Sequence, residues 1–245
     1  MTGIASHANA APPRSPGRRL YGGVAHKLGV AILSGRHAPG ETMPGEIAFA
    51  AELDISRGAV REALQVLAAK GMVESRTGTG TRVLPRERWN LLDPDVLGWA
   101  AAAEPDLRLV RSLFELKLVI EPAAAGMAAL RRERADIARM RDALTVMRRS
   151  PLAAEQAGQA DRDFHVAMLN ATRNDAMIVL GAAIGTTVTL ARHYRQHASA
   201  LPRNATPDLV QVFDAIVAQD AGRAGAAMTA LVERTLADLR DVLAA

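Results

Sequence analysis

Residues Met43 to Val83 read MPGEIAFAAELDISRGAVREALQVLAAKGMVESRTGTGTRV. A short helical segment, a turn, a longer helical segment and a glycine-tipped hairpin follow one another, which is the order of a winged helix-turn-helix. In the longer segment Val60, Ala63, Leu64 and Leu67 recur at i, i+3, i+4 and i+7 and form one apolar face. Ser56 stands at the N-cap, and Lys70-Gly71 ends the helix with Gly71 as its C′ residue. Arg57, Gly58, Arg61 and Gln65 fall on another face. Two arginines one turn apart near a helix N-terminus suit phosphate oxygens or the O6/N7 edge of guanine, and Gly58 lets the helix approach bases closely. The preceding helix spans about Gly45 to Leu53 with Ala50, Leu53 and Ile55 inward, and Asp54 takes the bend. Beyond Gly71, residues 72–76 and 81–83 read as strands joined by Thr77-Gly78-Thr79-Gly80, with Arg76 at the base of the tip. Taken singly, an arginine pair of this spacing is more often a solvated face and a Gly-Thr-Gly turn a plain hairpin. Their succession in one compact unit points to DNA.

The run Gly35-Arg36-His37-Ala38-Pro39-Gly40, then Pro44-Gly45-Glu46, then Ser56-Arg57 with Val60-Arg61-Glu62-Ala63-Leu64, then Gly78-Thr79-Gly80-Thr81, resembles the N-terminal domain of GntR-family transcriptional regulators over about Leu20 to Val83. The resemblance implies that Arg57 and Arg61 are major-groove contacts and that Gly78 lies at the wing tip. The candidate DNA-binding set is Ser56, Arg57, Gly58, Arg61, Gln65, Arg76, Gly78, Thr79 and Gly80. One departure changes the expected readout. Family members carry a basic, DNA-touching residue after the Glu of the Pro-Ser-Glu run, whereas this chain has Ile47, and Gly45 replaces the usual Ser or Ala.

The 245 residues are enough for two domains. Apolar residues make up 49% but aromatics only 3%, so the cores must be built from Ala, Leu, Val, Ile and Met, which favours helices. Cysteine is absent, which excludes disulfides and zinc–thiolate sites. Without a long apolar run or a signal-peptide core, no membrane span is expected and cytoplasm is the default location. Residues 1–88 hold 12 Lys and Arg against 7 Asp and Glu, a net of +5; the remainder holds 18 against 19, a net of −1. The basic excess therefore lies in the part read as DNA-binding.

In chain order, 1–17 is Ala/Pro/Ser-rich and reads as a disordered arm. Residues 18–85 form the winged helix-turn-helix, opened by a helix marked by Leu20, Val24, Leu28 and Ile32. Residues 86–104 read as a joint holding both tryptophans, Trp89 and Trp99, which serve either to lock domain orientation or as plain hydrophobic anchors. Residues 105–245 show only helical periodicity. Leu109, Leu113, Leu116, Ile120 and Ala124 trace one stripe, Met177 to Tyr194 is strongly apolar, and Ala221 to Leu243 is the last helix. The fold class is mainly α, a winged helix-turn-helix with a small β-hairpin wing followed by an all-α bundle of about six or seven helices.

The second half carries its own resemblance. Phe114-Glu115-Leu116-Lys117-Leu118-Val119-Ile120-Glu121-Pro122-Ala123, Asp161-Arg162-Asp163-Phe164-His165 with Asn174, and Ala215-Ile216 with Asp220 and Ala224 are similar to the FCD effector domain of the FadR-like GntR subfamily. The segment from Trp89 to Trp99 is similar to galactonate-responsive regulators of sugar-acid metabolism. Many FCD domains hold a divalent metal through an Asp and three His. Asp161 and His165 match the first two, but alignment on the flanking motifs puts Leu209 and Leu231 at the other two positions, so no metal cofactor is expected. His193 and His197, also at i, i+4, either substitute or form a polar helix face. Lys117 stands where the family often has an arginine facing the cavity. Lys117, Asp161, His165, Arg192 and Arg195 are the candidate effector site, a mixture suited to a carboxylate with hydroxyls. Arg192 and Arg195 are alternatively a solvated helix end, and Asp161 and His165 alternatively a hydrogen-bonded pair in a polar core.

The function read from these residues is a homodimeric, sequence-specific transcriptional regulator binding a double-stranded DNA operator, a repressor released by a small carboxylate effector such as a sugar acid. The competing readings are a non-specific or architectural DNA binder and a helical-domain enzyme using Asp161 and His165. No nucleophile or phosphate loop accompanies that pair, so no catalytic residue is assigned.

Overall fold

A computed structural model describes residues 16–76, 80–103, 106–197 and 204–243; the side chains of 16–21, 182, 191–197 and 239–243 fall outside that description. Contacts divide the chain into two units, Met1–Trp89 and Asn90–Ala245. The division falls inside the stretch read as a joint.

In the first unit, α1 (Pro16–Leu33) begins two residues inside the expected arm, of which 1–15 lie outside the described residues. Its Val24, Leu28 and Ile32 are buried, and it packs on α3. Gly35, with φ +76°, ends it in the left-handed region. Helix α2 (Glu46–Glu52) buries Phe49 and Ala50. The expected inward trio of Ala50, Leu53 and Ile55 needs correction: Leu53 and Ile55 are only half-buried, and the bulkier Phe49 takes the inner position. Asp54 turns the chain at φ +52°, a conformation that a short polar side chain tolerates.

Helix α3 (Arg57–Ala69) buries Ala59, Val60, Ala63, Leu64 and Leu67. It ends in a Schellman motif, in which Met72 N–H donates to the Leu67 carbonyl at 3.0 Å and Gly71 N–H to Ala68 at 3.0 Å. Gly71 sits at φ +71° with the Arg88 carbonyl directly over it. Strands β1 (Val73–Arg76) and β2 (Gly80–Val83) pair antiparallel, Val73 opposite Val83. The segment 40–43 bonds to the other side of β2, with Met43 N–H on Thr81 and Val83 N–H on Glu41. The wing is thus supported on both sides of β2, which the sequence pattern does not reveal. Trp89 closes the unit, donating its indole N–H to the Leu84 carbonyl at 2.8 Å.

The second unit comprises, among the described residues, eight helices, of which the seven after residue 104 agree with the six or seven expected there. They are α4 (Pro94–Ala102), α5 (Leu107–Arg131), α6 (Arg134–Arg149), α7 (Glu155–Ala171), α8 (Asp175–Val179), α9 (Gly181–His197), α10 (Thr206–Val217) and α11 (Ala221–Leu243). One difference from the sequence reading has a simple cause. Asp93 caps a proline-led helix, so 94–102 is α4 with Trp99 and Leu97 buried, packed on α9 rather than acting as linker. The apolar stretch Met177 to Tyr194 spans the end of α8, which stops at Val179, and most of α9, which begins at Gly181.

Helix α5 is central, packing on α7, α9, α10 and α11. Its inner face is Leu109, Val110, Leu113, Phe114, Lys117, Glu121, Ala124, Ala125, Ala128 and Ala129. Leu116 and Ile120 of the expected stripe are only half-buried. Small residues bring α5 and α11 close: a Cβ at Gly225 would stand 3.3 Å from the Pro122 carbonyl, and one at Gly126 3.3 Å from that of Ala221.

At the start of α6, fully buried Asp136 accepts from the Glu133 N–H (2.9 Å), from Arg139 (2.5 Å) and from Arg173 Nη2 (2.7 Å). Burial raises its carboxyl pKa, but these donors outweigh burial and hold it below the ordinary aspartate value. A depressed folded pKa contributes stability that is fully present above the unfolded value of about 3.9 and lost as pH falls through the lower folded value. Asp136→Asn is therefore expected to be destabilised at pH 7, with the deficit shrinking as pH falls below the ordinary aspartate range, in denaturant titrations. A deficit independent of pH would remove the charge from the explanation.

Candidate functional site

The DNA-reading face is built by the cap and the helix it starts. The Ser56 hydroxyl accepts from Ala59 N–H at 3.2 Å, so it anchors the N-terminus of α3. Arg57, Gly58, Arg61 and Gln65 are all exposed on the side of α3 opposite its buried face. Arg61 is 65% exposed, yet it is oriented: Nε and Nη2 donate to both Glu46 carboxylate oxygens at 3.0–3.3 Å. Arg61, with a smaller contribution from Arg57, holds the Glu46 carboxyl below its usual range. Glu46 thus orients a residue of the candidate DNA-reading face, whereas the sequence marks it only as a family landmark. No short-range spacing signals a pair 15 residues apart. Ile47, 62% exposed, stands beside it. Arg76 is exposed and pairs with Glu74 at 3.1 Å, and Gly80 takes φ +83° at the start of β2. Gly78 and Thr79 lie outside the described residues.

The second site is a buried charge cluster between α5 and α7. Lys117 Nζ lies 3.4 Å from Glu121 Oε2, one helical turn on. Glu121 Oε1 lies 2.5 Å from His165 Nδ1 on α7, and His165 Nε2 lies 3.5 Å from Asp161 Oδ1. Glu121 is completely buried, and Lys117 and His165 nearly so. The Glu121 oxygens are within ion-pair range of their partners but not aligned for hydrogen bonds. Burial opposes charge on Glu121, but His165 and Lys117 outweigh it and lower its pKa. Burial likewise disfavours a charged His165, but the Glu121 and Asp161 carboxylates win and raise it.

Lys117, Asp161 and His165 line one small cavity with Val188, Ala205, Leu231, Val232 and Thr235; about 20 Å³ is open in it, room for one water. The structure therefore brings together three of the five expected effector residues. Arg192 and Arg195, like His193 and His197, fall on the end of α9, where side chains lie outside the described residues. Glu121 joins the cluster although the sequence-derived set does not contain it. The signal that marks it is its place four residues after Lys117 on the inward face of α5. A larger cleft of about 550 Å³ lies between α6 and α7, but its lining includes the carboxylates Asp142 and Asp163, and its Arg139 is tied to Asp136. It suits an anion poorly.

The cluster does not fit a closed metal site. Each His165 ring nitrogen stands near a different carboxylate, Nδ1 near Glu121 and Nε2 near Asp161, so the two carboxylates lie on opposite edges of the ring. Leu231 lines the cavity where a ligand is expected, and Leu209 is fully buried. Among the described residues no three His, Cys, Asp or Glu side chains converge as a metal-holding group.

Comparison with known proteins matches residues 20–83 to the bacterial regulatory proteins of the GntR family and residues 112–234 to the FCD domain. The chain belongs to the GntR family. It is similar to the galactonate operon transcriptional repressor of Escherichia coli (strain K12), 30% identical over 217 residues, covering 88% of this chain and 94% of that one. The Uxu operon transcriptional regulator of the same organism is 35% identical over 167 residues, 66% of this chain and 62% of that one. Among solved structures, the fold resembles Lar, which controls the expression of the Listeria monocytogenes agr system (TM-score 0.65, 15% identity, 94% of this chain and 99% of that one). E. coli McbR/YncC gives a TM-score of 0.54 at 16% identity, over 94% of this chain and 99% of that one. This GntR-family chain is a DNA-binding transcriptional regulator and not an enzyme, so Asp161 and His165 are not the acid–base pair of a catalyst. Among the described residues no helix is long and apolar enough to cross a membrane.

Proposed function

We propose that this regulator is a homodimeric, cytoplasmic repressor that reads an operator through α3 and the wing and is released by a small carboxylate effector of the sugar-acid class. The observation that carries the reading is the pairing of two features in one chain: an exposed Arg57/Arg61 face, and a buried Lys117–Glu121–His165–Asp161 cluster inside an otherwise apolar bundle. Likeness to the galactonate and Uxu operon regulators supports the sugar-acid class.

Arg57, Arg61, Gly58 and Gln65 would meet base edges and phosphates, with Ser56 as cap and Arg76, Gly78, Thr79 and Gly80 in the wing. A two-fold dimer would place two copies of α3 on a pseudo-palindrome. A cavity that holds one water admits a sugar acid only if α5, α7, α9 and α11 part, because its walls come from those helices. An effector that favours the parted arrangement is bound more weakly by the DNA-competent one, and the coupling is reciprocal.

Arg61→Ala is expected to cost about 1–3 kcal/mol of operator affinity while leaving random-duplex binding little changed. Equal loss on both duplexes, measured by fluorescence anisotropy, would reassign Arg61 to phosphate and favour the non-specific reading. A thermal-shift screen with sugar acids and simple carboxylates tests the effector, since a ligand of the folded state raises the melting point by mass action. No rise with any of them would sink the carboxylate assignment.

A further inference from the structure

At the centre of this bundle a charge network stands where a divalent ion would otherwise be expected. Reading from α5 to α7, it runs Lys117 ammonium, Glu121 carboxylate, His165 imidazole, Asp161 carboxylate, spaced at 3.4, 2.5 and 3.5 Å. A metal site needs three or four donors converging on one point. Here each carboxylate stands on a different edge of the ring, and among the described residues no three such donors converge. The remaining cavity walls are mostly aliphatic, with Leu231 and Val232 facing in. The Lys117 ammonium is on the same cavity wall, already paired with Glu121.

We propose that α5 and α7 are joined here without a divalent ion: Lys117 neutralises Glu121 within α5, and Glu121 in turn holds His165 on α7. Burying a lysine and a glutamate is costly unless each neutralises the other, so the pair explains why both persist in the core. This goes beyond the functional reading above and does not depend on which effector is sensed.

The test uses the full chain purified without added metal. Metal content by plasma mass spectrometry should be far below one equivalent, and the melting temperature should be unmoved by EDTA, zinc or nickel. A stoichiometric ion, or a melting point raised by several degrees with metal, overturns the proposal; His193 and His197 would then be the first ligands to examine. Lys117→Met keeps the aliphatic stem and removes the charge, so it should lower the melting point by several degrees or prevent folding. The double variant Lys117→Met/Glu121→Gln removes both charges and should recover most of the loss. No loss in the single variant, or no recovery in the double, shows that Lys117 is not the counter-charge. Operator binding by the wild type is measured in parallel, so a failure of the regulatory reading is seen separately from a failure of this one.

Discussion

Gly71→Ala is expected to unfold the DNA-reading unit at moderate temperature. Two effects add. Alanine at φ +71° is strained by about 1–3 kcal/mol, and its Cβ would collide with the Arg88 carbonyl, a backbone atom that cannot swing away. Making room would shift the 3-10 turn Arg86–Arg88 and with it Trp89, whose indole is tied to Leu84. Overpacking of this kind costs about 1–3 kcal/mol more. The sum approaches the whole stability of a unit this small, and a melting point lower by about 15 °C or more follows. Operator binding falls with it, although Gly71 is on none of the proposed contacts. Gly98→Ala is the control: that glycine is exposed within α4 with nothing within 4 Å of the added Cβ. It should be neutral or slightly stabilising. Calorimetry showing Gly71→Ala as stable as Gly98→Ala would refute the packing described at the end of α3.

Glu121→Ala should be the most damaging single change in the helical unit. It leaves Lys117 and His165, both nearly fully buried, without their shared counter-charge. Removing one partner of a buried pair costs about 3–5 kcal/mol, roughly 10 °C in a domain of this size. Glu121→Gln keeps the volume and should lose less. Val119→Ala, on the same helix but 71% exposed, should be near neutral. If urea titration finds Glu121→Ala close to wild type, water must reach the cluster and the charges are not held dry.

Much of this protein is legible in its amino-acid order alone. Ser56, the apolar period from Val60 to Leu67 and Gly71 mark α3 and its ends, because capping and periodicity act over a few residues. The family resemblance leads to the same unit and to the FCD bundle. Lys117, Asp161 and His165 belong together on sequence grounds, and they line one cavity. What stays hidden lies at longer range. Glu46 reaches Arg61 across 15 residues, segment 40–43 supports the far side of β2, and α4 packs on α9, none of which a local pattern encodes.

The sequence by itself determined the element types, the reading helix with its exposed arginines, and the presence of charged side chains on an inward helical face. Each of these follows from spacing along the chain. Only the tertiary structure decided that Glu121 stands between Lys117 and His165, that each nitrogen of that ring stands near a carboxylate, and that the cavity has room for about one water. Those facts depend on the distance and rotation between α5 and α7, while Gly126 and Gly225 set how closely α11, which carries Leu231 to the cavity, packs on α5. No one-dimensional pattern carries that geometry.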